Sequence, residues 1–251
     1  MRREPAWLLA PLILDFARAA QAGERALDLG CGTGSLTFAL ADRSPAAAVT
    51  GCDIAEPLLA HARAANPDPA RIHFDAADAR ALPYPDGAFD RVLSSLVLML
   101  VPEGERAARE MARVARPGGT VAAAVWDFRG GVVHSRLALD TAAALEPEAA
   151  AFRDRFHAGL GLRPGELAAV WRRIGLREVR EADLTIRMEF ADFADFWCPM
   201  AEGNTFGTML RGLPEARQAL IRERAEAAYR SGDPDGPRSF AATAWAVAGV
   251  R

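Results

Sequence analysis

The stretch ALDLGCGTGSLTFAL, residues 26–40, most constrains what this chain can fold into. Apolar residues enter a turn that contains three glycines, and apolar residues at helical spacing leave it. A strand, a glycine-rich turn and a helix in this order are typical of the first βα unit of a nucleotide-binding α/β fold. The sequence therefore predicts a ligand at this turn and leaves open which nucleotide it is.

Strand-like and helix-like segments alternate from this turn to about residue 128. Such alternation predicts a mostly parallel, doubly wound sheet. The predicted strands cover residues 27–29, 47–54, 71–78, 89–100, 119–128, 181–190 and 239–250, and the predicted helices cover 35–43, 56–66, 103–115 and 163–175.

Two segments, 128–161 and 191–238, fit no βα unit. Insertions beside the carboxyl ends of strands commonly build substrate sites, so we expect these segments to cover the substrate of a single domain, 1–251. Residues 1–22 are predicted to form an amphipathic cap helix rather than a signal peptide, because Asp15 and Arg18 interrupt the apolar run.

Composition excludes several kinds of chemistry. All 30 basic residues are arginine, so no Schiff-base lysine and no phosphate-loop lysine exist in this sequence. The net charge of −3 predicts neither a nucleic acid nor a membrane as partner. The cysteines at 31, 52 and 198 are odd in number and lack the spacing of a zinc site. We therefore predict no metal, and a reducing, cytoplasmic location.

The glycine turn narrows the choice of nucleotide. A dinucleotide fingerprint needs Gly or Ala at position 35, where this chain has Ser35, and its third glycine, Gly34, lies one place early. An acid at Asp28 suits a ligand with a cationic ammonium better than a pyrophosphate. The turn therefore disfavours an NAD(P)-linked oxidoreductase, which remains an alternative.

Acidic residues follow two further strands. Asp53 ends the second strand, where a carboxylate can accept hydrogen bonds from both hydroxyls of a ribose. Asp78 follows the third strand, where it could accept a hydrogen bond from the exocyclic amine of adenine. Together with Asp28, these residues predict an adenosine ligand at one edge of the sheet.

The sequence resembles a known family, the class I S-adenosylmethionine-dependent methyltransferases of the small-molecule, ubiquinone/menaquinone-related type. Five motifs within about residues 20–128 carry the resemblance: LDLGCGTG, GCDIAEPLLAHAR, DAADARALPYPDGAFD, FDRVLSSLVL and VARPGG. The resemblance implies a seven-stranded sheet in the order 3-2-1-4-5-7-6, with an antiparallel seventh strand.

The resemblance also implies the cofactor, S-adenosyl-L-methionine, with S-adenosyl-L-homocysteine as product. Asp53 would hold the ribose diol, Ile54 would pack on the adenine, and Asp78 with Ala79 would contact the adenine edge. Ser94 or Ser95 would approach the methionine ammonium through a backbone oxygen. The complete set of expected cofactor-binding residues is Asp28, Gly30, Cys31, Gly32, Gly34, Asp53, Ile54, Asp78, Ala79, Ser94 and Ser95.

The catalytic residues are not evident. The loop after the fourth strand has no His, Tyr or Asp, and the N/D-P-P-Y/F motif of amide and DNA-adenine methyltransferases is absent. His134 is the best placed candidate for a general base, and the alternative role of a core or surface histidine is preferred over it. We expect a small, partly apolar methyl acceptor and a monomer or homodimer. A non-catalytic, cofactor-binding regulatory protein is the second alternative.

Four aromatic residues in or directly before the second insertion are predicted to pack in a core or to form a lid: Phe190, Phe193, Phe196 and Trp197.

Overall fold

The computed structural model describes residues 5–18, 23–45, 47–203 and 205–251, with no description of the Phe156 side chain. Seventeen helices and strands occur in the described ranges: α1 Pro5–Ala17, β1 Arg25–Leu29, α2 Ser35–Arg43, β2 Ala48–Asp53, α3 Glu56–Ala64, β3 Ile72–Ala76, β4 Phe89–Ser95, α4 Gly104–Val114, β5 Ala115–Trp126, α5 Val133–Leu145, α6 Pro147–Phe156, α7 Glu166–Arg173, β6 Arg177–Phe190, α8 Phe193–Glu202, α9 Phe206–Arg211, α10 Glu215–Arg230 and β7 Arg238–Val250.

The strands form one seven-stranded sheet in the order β3-β2-β1-β4-β5-β7-β6. The pairs from β3 to β5 are parallel, and β7 pairs with β5 in the antiparallel direction. The predicted fold class and strand order are confirmed. Parallel pairing brings the carboxyl ends of β1, β2, β3 and β4 to one edge of the sheet, which is where such folds bind ligands.

One boundary differs from its prediction. The sequence predicts that the fifth strand begins at residue 119, after Pro117 and Gly118, but β5 already begins at Ala115. The pairing of β4 with β5 shifts register between Phe89 and Arg91, and a Cβ at Gly119 would lie only 2.8 Å from the carbonyl oxygen of Asp90. The glycine therefore permits a close backbone approach at a bulge within the strand rather than marking its start.

The described residues divide into two compact units. Unit 1 comprises the chain up to Trp126, Gly159–Leu184 and Ala244–Arg251, and unit 2 comprises Asp127–Ala158 and Thr185–Thr243. Unit 2 therefore contains most of both predicted insertions. Their role as a substrate cover, and the organisation of the chain as a single domain, stay predictions.

The helix α1 of unit 1 packs against α2 through an apolar face. Leu9, Ile13 and Leu14 are fully buried, and the Trp7 ring stacks on the Phe38 ring with centroids 6.3 Å apart. The predicted N-terminal helix is confirmed between Pro5 and Ala17, while residues 1–4 and 19–22 lie outside the described ranges. Among the described helices, none has both the length and the apolar character that a membrane span requires.

Unit 2 has its own core, which is rich in aromatic residues. Phe193, Phe196 and Trp197 of α8 are buried with Tyr229 of α10, and the Phe196 and Tyr229 ring centroids lie 5.2 Å apart. Phe190, at the end of β6, is partly buried against this cluster. The predicted core role of these aromatics is confirmed.

Trp171 in α7 is the largest fully buried side chain of unit 1, and its indole N–H donates a hydrogen bond to the Val121 carbonyl oxygen at 3.0 Å. We expect Trp171→Ala to lower the free energy of unfolding by about 3–5 kcal/mol, because it leaves a large cavity. Urea denaturation measures this change. The neighbouring exposed Arg172→Ala is the control and should stay within about 0.5 kcal/mol of the wild type. Equal effects of the two substitutions would contradict the assignment of Trp171 to the core.

Candidate functional site

The glycine turn between β1 and α2 is fixed to the end of β2. The backbone N–H groups of Gly30 and Cys31 both donate to the carbonyl oxygen of Cys52, at 2.7 and 3.0 Å. A Cβ at Gly30 would lie 2.3 Å from the Val97 side chain, so only glycine allows the turn to pass this close to the chain after β4. The turn is therefore held between the neighbouring strands of β1.

Asp53 joins the glycine turn to the chain after β2. One carboxylate oxygen accepts a hydrogen bond from the Gly32 N–H and the other accepts one from the Ala55 N–H, both at 2.9 Å. Each carboxylate oxygen can accept a further hydrogen bond. Gly32 has a φ of +55°, and no described atom lies within 4 Å of the position its Cβ would take. A side chain at Gly32 would therefore project into open space beside Asp53.

A cavity of about 540 Å³ lies at this edge of unit 1, a volume in the range of small-molecule sites. Nine of the eleven predicted cofactor-binding residues line it: Asp28, Gly30, Cys31, Gly32, Asp53, Ile54, Asp78, Ala79 and Ser95. The sequence prediction therefore brought together residues that the fold places around one cavity.

The other two predicted residues, Gly34 and Ser94, are not among those that line the cavity. Gly34 adopts a φ of +90° directly before α2, and a Cβ there would lie 2.6 Å from the Phe38 ring. The fully buried Ser94 hydroxyl donates to the Leu29 carbonyl oxygen at 2.9 Å. Both residues therefore contact neighbouring elements instead of the cavity, and Ser95 is the serine that lines it.

Asp28 is a buried carboxyl group in the cavity wall. Its Oδ2 accepts a hydrogen bond of 2.6 Å from the Thr37 hydroxyl, while its Oδ1 is buried and has no hydrogen-bond partner among the described atoms. The pKa of Asp28 is raised to about 7, chiefly because the carboxyl group is buried; the hydrogen bonds from Thr37 oppose this rise and the nearby Asp53 carboxylate adds to it. A cationic group at Oδ1 would both satisfy this oxygen and favour its ionised form.

Ser95 supplies a second buried polar atom without a partner in the described part of the chain, its Oγ. Ser95 ends β4, next to β1, and the following residue, Leu96, has a φ of +64°. A left-handed conformation is uncommon for leucine and is often found at functional sites. The chain thus leaves β4 abruptly, directly after the residue that lines the cavity.

Asp78 forms an ion pair with Arg80, a residue that is not among the predicted site residues. The Arg80 guanidinium donates to both Asp78 carboxylate oxygens, at 2.8 Å to Oδ2 and 3.1 Å to Oδ1, and this contact lowers the pKa of Asp78 to about 2. Arg80 also lines the cavity. The carboxylate is therefore ionised and fixed in orientation, with capacity left to accept from an amine.

The two cysteines in the cavity wall, Cys31 and Cys52, are buried thiols. Burial, and after it the Asp28 carboxyl group, raise the pKa of both thiols: strongly for Cys31 and to about 12 for Cys52. A thiol that stays protonated is a poor nucleophile. Both side chains therefore serve as small apolar packing groups.

The remaining wall of the cavity is apolar. It includes the exposed leucines Leu58 and Leu100, which are 41% and 60% exposed, beside Ile54, which is 73% exposed. The apolar residues come from α1, α2, α3 and the loop after β4: Ala6, Leu36, Leu58, Leu96, Val97, Leu100, Val101 and Pro102. The cavity thus has a polar side at the strand ends and an apolar side away from them.

His134, the candidate general base, belongs to α5 of unit 2. Its Nδ1 is buried without a hydrogen-bond partner among the described atoms, its ring lies 5.8 Å from the Phe190 ring, and burial lowers its pKa to about 4. An imidazole with so low a pKa is a weak proton acceptor near neutral pH. These surroundings favour a core histidine, and we derive no proton transfer through it.

Comparison with known proteins identifies the domain that holds this cavity. Residues 27–123 match the family model described as a methyltransferase domain. The demethylmenaquinone methyltransferase of Thermus thermophilus is 45% identical over 100 residues, which cover 39% of this chain and 46% of that protein. The chain is therefore similar, over residues 27–123, to a methyltransferase domain, and the resemblance seen in the sequence is confirmed for that part of the chain. It spans about half the length of the curated relatives it matches.

Solved structures show the same fold over nearly the whole chain. A putative methyltransferase from an antibiotic biosynthesis pathway of Anabaena variabilis covers 99% of this chain and 100% of its own, with a TM-score of 0.67 and 15% identity. Phosphoethanolamine N-methyltransferase 2 of Haemonchus contortus, in complex with S-adenosyl-L-methionine, has a TM-score of 0.63 and 16% identity over 98% of this chain and 52% of its own. These identities support the fold alone.

The raised pKa of Asp28 yields a prediction about stability. Between about pH 4, the ordinary range of an aspartate, and pH 7, the unfolded chain has lost the Asp28 proton while the folded protein keeps it. Asp28 therefore lowers the free energy of unfolding as pH rises through this window. We expect the stability of Asp28→Asn relative to the wild type to increase from pH 4.5 to 7.5 by on the order of 2–4 kcal/mol, as measured by urea denaturation.

The exposed Asp42→Asn, on the same helix as Thr37, is the control for this measurement and should follow the wild type across the same range. A difference between Asp28→Asn and the wild type that is constant with pH would show that Asp28 does not titrate in this window.

Proposed function

We propose that this protein transfers the methyl group of S-adenosyl-L-methionine to a small, partly apolar metabolite. The observation that carries the proposal is the cavity of the methyltransferase domain, where Asp28 Oδ1 and Ser95 Oγ are buried without partners in the described structure. Two unpartnered polar atoms in one wall are unfavourable unless a polar ligand satisfies them. The ammonium group of the cofactor fits this requirement, because it donates hydrogen bonds and is positively charged.

The other polar groups of the cavity suit an adenosine. Asp53 is held by the Gly32 and Ala55 N–H groups and retains the capacity to accept from the two ribose hydroxyls. Asp78, ionised beside Arg80, would accept from the adenine amine, and Ile54 exposes an apolar side chain on which the adenine could pack. The family match supports this assignment over an NAD(P)-linked oxidoreductase. A dinucleotide-binding turn would have glycine or alanine at position 35, where this chain has Ser35.

Bound S-adenosyl-L-methionine supplies a sulfonium methyl group that is already activated toward nucleophiles. The protein's contribution would be to bind the cofactor, to orient the acceptor and to exclude water. The apolar wall formed by Leu58, Val97 and Leu100 would perform the last two tasks. We propose that the carboxylates lining the cavity bind the cofactor, so we assign none of them as a general base.

The apolar wall also suggests the class of acceptor. Side chains from α2, α3 and the loop after β4 favour a small molecule with an apolar portion, in keeping with the relative that acts on demethylmenaquinone. A nucleic acid would demand a broad basic face, whereas the chain has a net charge of −3. We propose a monomer or homodimer without nucleic-acid or membrane partners, in the cytoplasm.

Binding of the demethylated product tests the cofactor assignment. We expect S-adenosyl-L-homocysteine to bind with micromolar affinity, roughly −8 kcal/mol, in isothermal titration calorimetry. Asp53→Ala should weaken binding by about 1–3 kcal/mol, because the ribose hydroxyls lose a charged acceptor. The exposed Asp42→Ala removes the same charge and should bind as the wild type does. Equal affinities of the wild type, Asp53→Ala and Asp42→Ala would show that Asp53 does not contact the ligand.

Activity separates an enzyme from the non-catalytic alternative. Transfer of a labelled methyl group from the cofactor into any member of a panel of phenols, quinols, carboxylates and amines would establish catalysis. Binding of the cofactor without transfer to any compound, and without a stable product in cell extracts, would favour a regulatory protein.

Hydrogen exchange tests the predicted cover. If segments 128–161 and 191–238 help to bind the acceptor, we expect their exchange to slow when S-adenosyl-L-homocysteine is added, because closure orders them. The glycine turn, 28–35, is the internal reference and should become protected in either case. Protection of the turn with unchanged exchange in both segments would contradict their role as a cover.

A further inference from the structure

Thr37 is a fully buried residue of α2 whose hydroxyl has a defined target. It donates a hydrogen bond of 2.6 Å to Asp28 Oδ2, and Asp28 itself is only 1% exposed. The same hydroxyl lies close to β2, since a Cβ at Gly51 would be 2.8 Å from its oxygen. Thr37 is therefore packed tightly between α2 and the sheet, with its hydroxyl directed at the Asp28 carboxylate.

The hydrogen bond from Thr37 makes the two carboxylate oxygens of Asp28 different from each other. Oδ2 is occupied by Thr37, and Oδ1 is left without a partner in the wall of the cavity. A carboxyl group can rotate about its terminal bond, and that torsion is soft unless a contact fixes it. The hydroxyl supplies this contact and so determines which oxygen is presented to a ligand.

The surroundings of Asp28 make this hydrogen bond important for its charge. Among the described residues, the titratable groups that interact with Asp28 are Asp53 and Cys52 from β2 and Cys31 from the glycine turn, and none of these three is a cation. Burial and the Asp53 carboxylate raise the pKa of Asp28, and the hydrogen bonds from Thr37 are the influences that lower it. Loss of the hydroxyl would therefore favour the protonated, neutral form.

We infer that Thr37 is a positioning residue for the cofactor: its hydroxyl fixes the Asp28 carboxylate so that the free oxygen receives the ammonium group of S-adenosylmethionine. This inference rests on the proposed function. A merely structural role would make Thr37 important for the fold of the turn but indifferent to whether the ligand carries an ammonium group.

Two ligands separate these roles. S-adenosyl-L-homocysteine carries the amino-acid group, whereas 5′-methylthioadenosine retains the adenosine and the thioether but lacks that group. We expect Thr37→Val, which replaces the hydroxyl by a methyl group, to weaken S-adenosyl-L-homocysteine binding about tenfold at pH 7 and to leave 5′-methylthioadenosine binding within about twofold. Thr37→Ser keeps the hydroxyl and should restore the wild-type affinity for both ligands.

The pH profile provides a second readout. For the wild type, S-adenosyl-L-homocysteine affinity should fall as pH decreases below about 7, because Asp28 becomes protonated. In Thr37→Val this fall should begin at higher pH, and affinity should recover toward the wild-type value as pH rises. Affinity for 5′-methylthioadenosine should show neither change.

The outcomes distinguish this inference from the proposed function. If the wild type binds S-adenosyl-L-homocysteine and Thr37→Val binds it equally well, or loses both ligands equally, Thr37 does not position Asp28 for the ammonium. If the wild type binds neither ligand, the proposed function itself fails. Should Thr37→Val not fold, Thr37→Ala removes the same hydroxyl without adding a methyl group in its place and is subjected to the same comparison.

Discussion

The candidate site depends on the hydrogen bonds that join the glycine turn to the end of β2. The Cys52 carbonyl oxygen accepts from two successive N–H groups of the turn, and the Asp53 carboxylate accepts from a third, that of Gly32. These bonds satisfy backbone donors that would otherwise face an open cavity. Because β1 lies between β2 and β4, fixing the turn to β2 also sets its distance from Ser95 and the loop after β4.

The polar side of the cavity lowers the stability of the folded protein when no ligand is bound. Asp28 is buried next to another carboxylate, and one of its oxygens lacks a partner among the described atoms. Each feature destabilises the protein without a ligand, and each would be relieved by a cationic ligand. Asp78 shows the opposite arrangement, because Arg80 already compensates its charge. The site thus combines Asp28, which has no cationic partner among the described residues, with Asp78, which is paired with Arg80.

The sequence predicted the sheet well, because glycine turns and apolar runs mark the ends of its strands. Nine of the residues that the family resemblance implies for the cofactor lie around the cavity, and their role in binding stays a prediction. The sequence did not predict the role of Thr37, since its contact with Asp28 depends on how α2 packs on β1. Two other contacts had signals in the sequence: Arg80 lies two residues after Asp78, and Asp192 caps α8 by accepting from the Asp195 N–H. Helix caps with this spacing can be recognised in a sequence.

The left-handed backbone at Leu96 has a consequence for redesign of the cavity. At a φ of +64° only glycine, and to a lesser degree asparagine or aspartate, is tolerated easily, and β-branched residues are strongly disfavoured. At position 96 a β-branched residue would therefore add backbone strain to that which Leu96 already has, whereas glycine would relieve it. Leu58 and Leu100 line the same cavity from exposed positions in α3 and the loop after β4, and neither has a positive φ. Diversity introduced at those two leucines would change the shape of the pocket while the backbone that supports it stays intact.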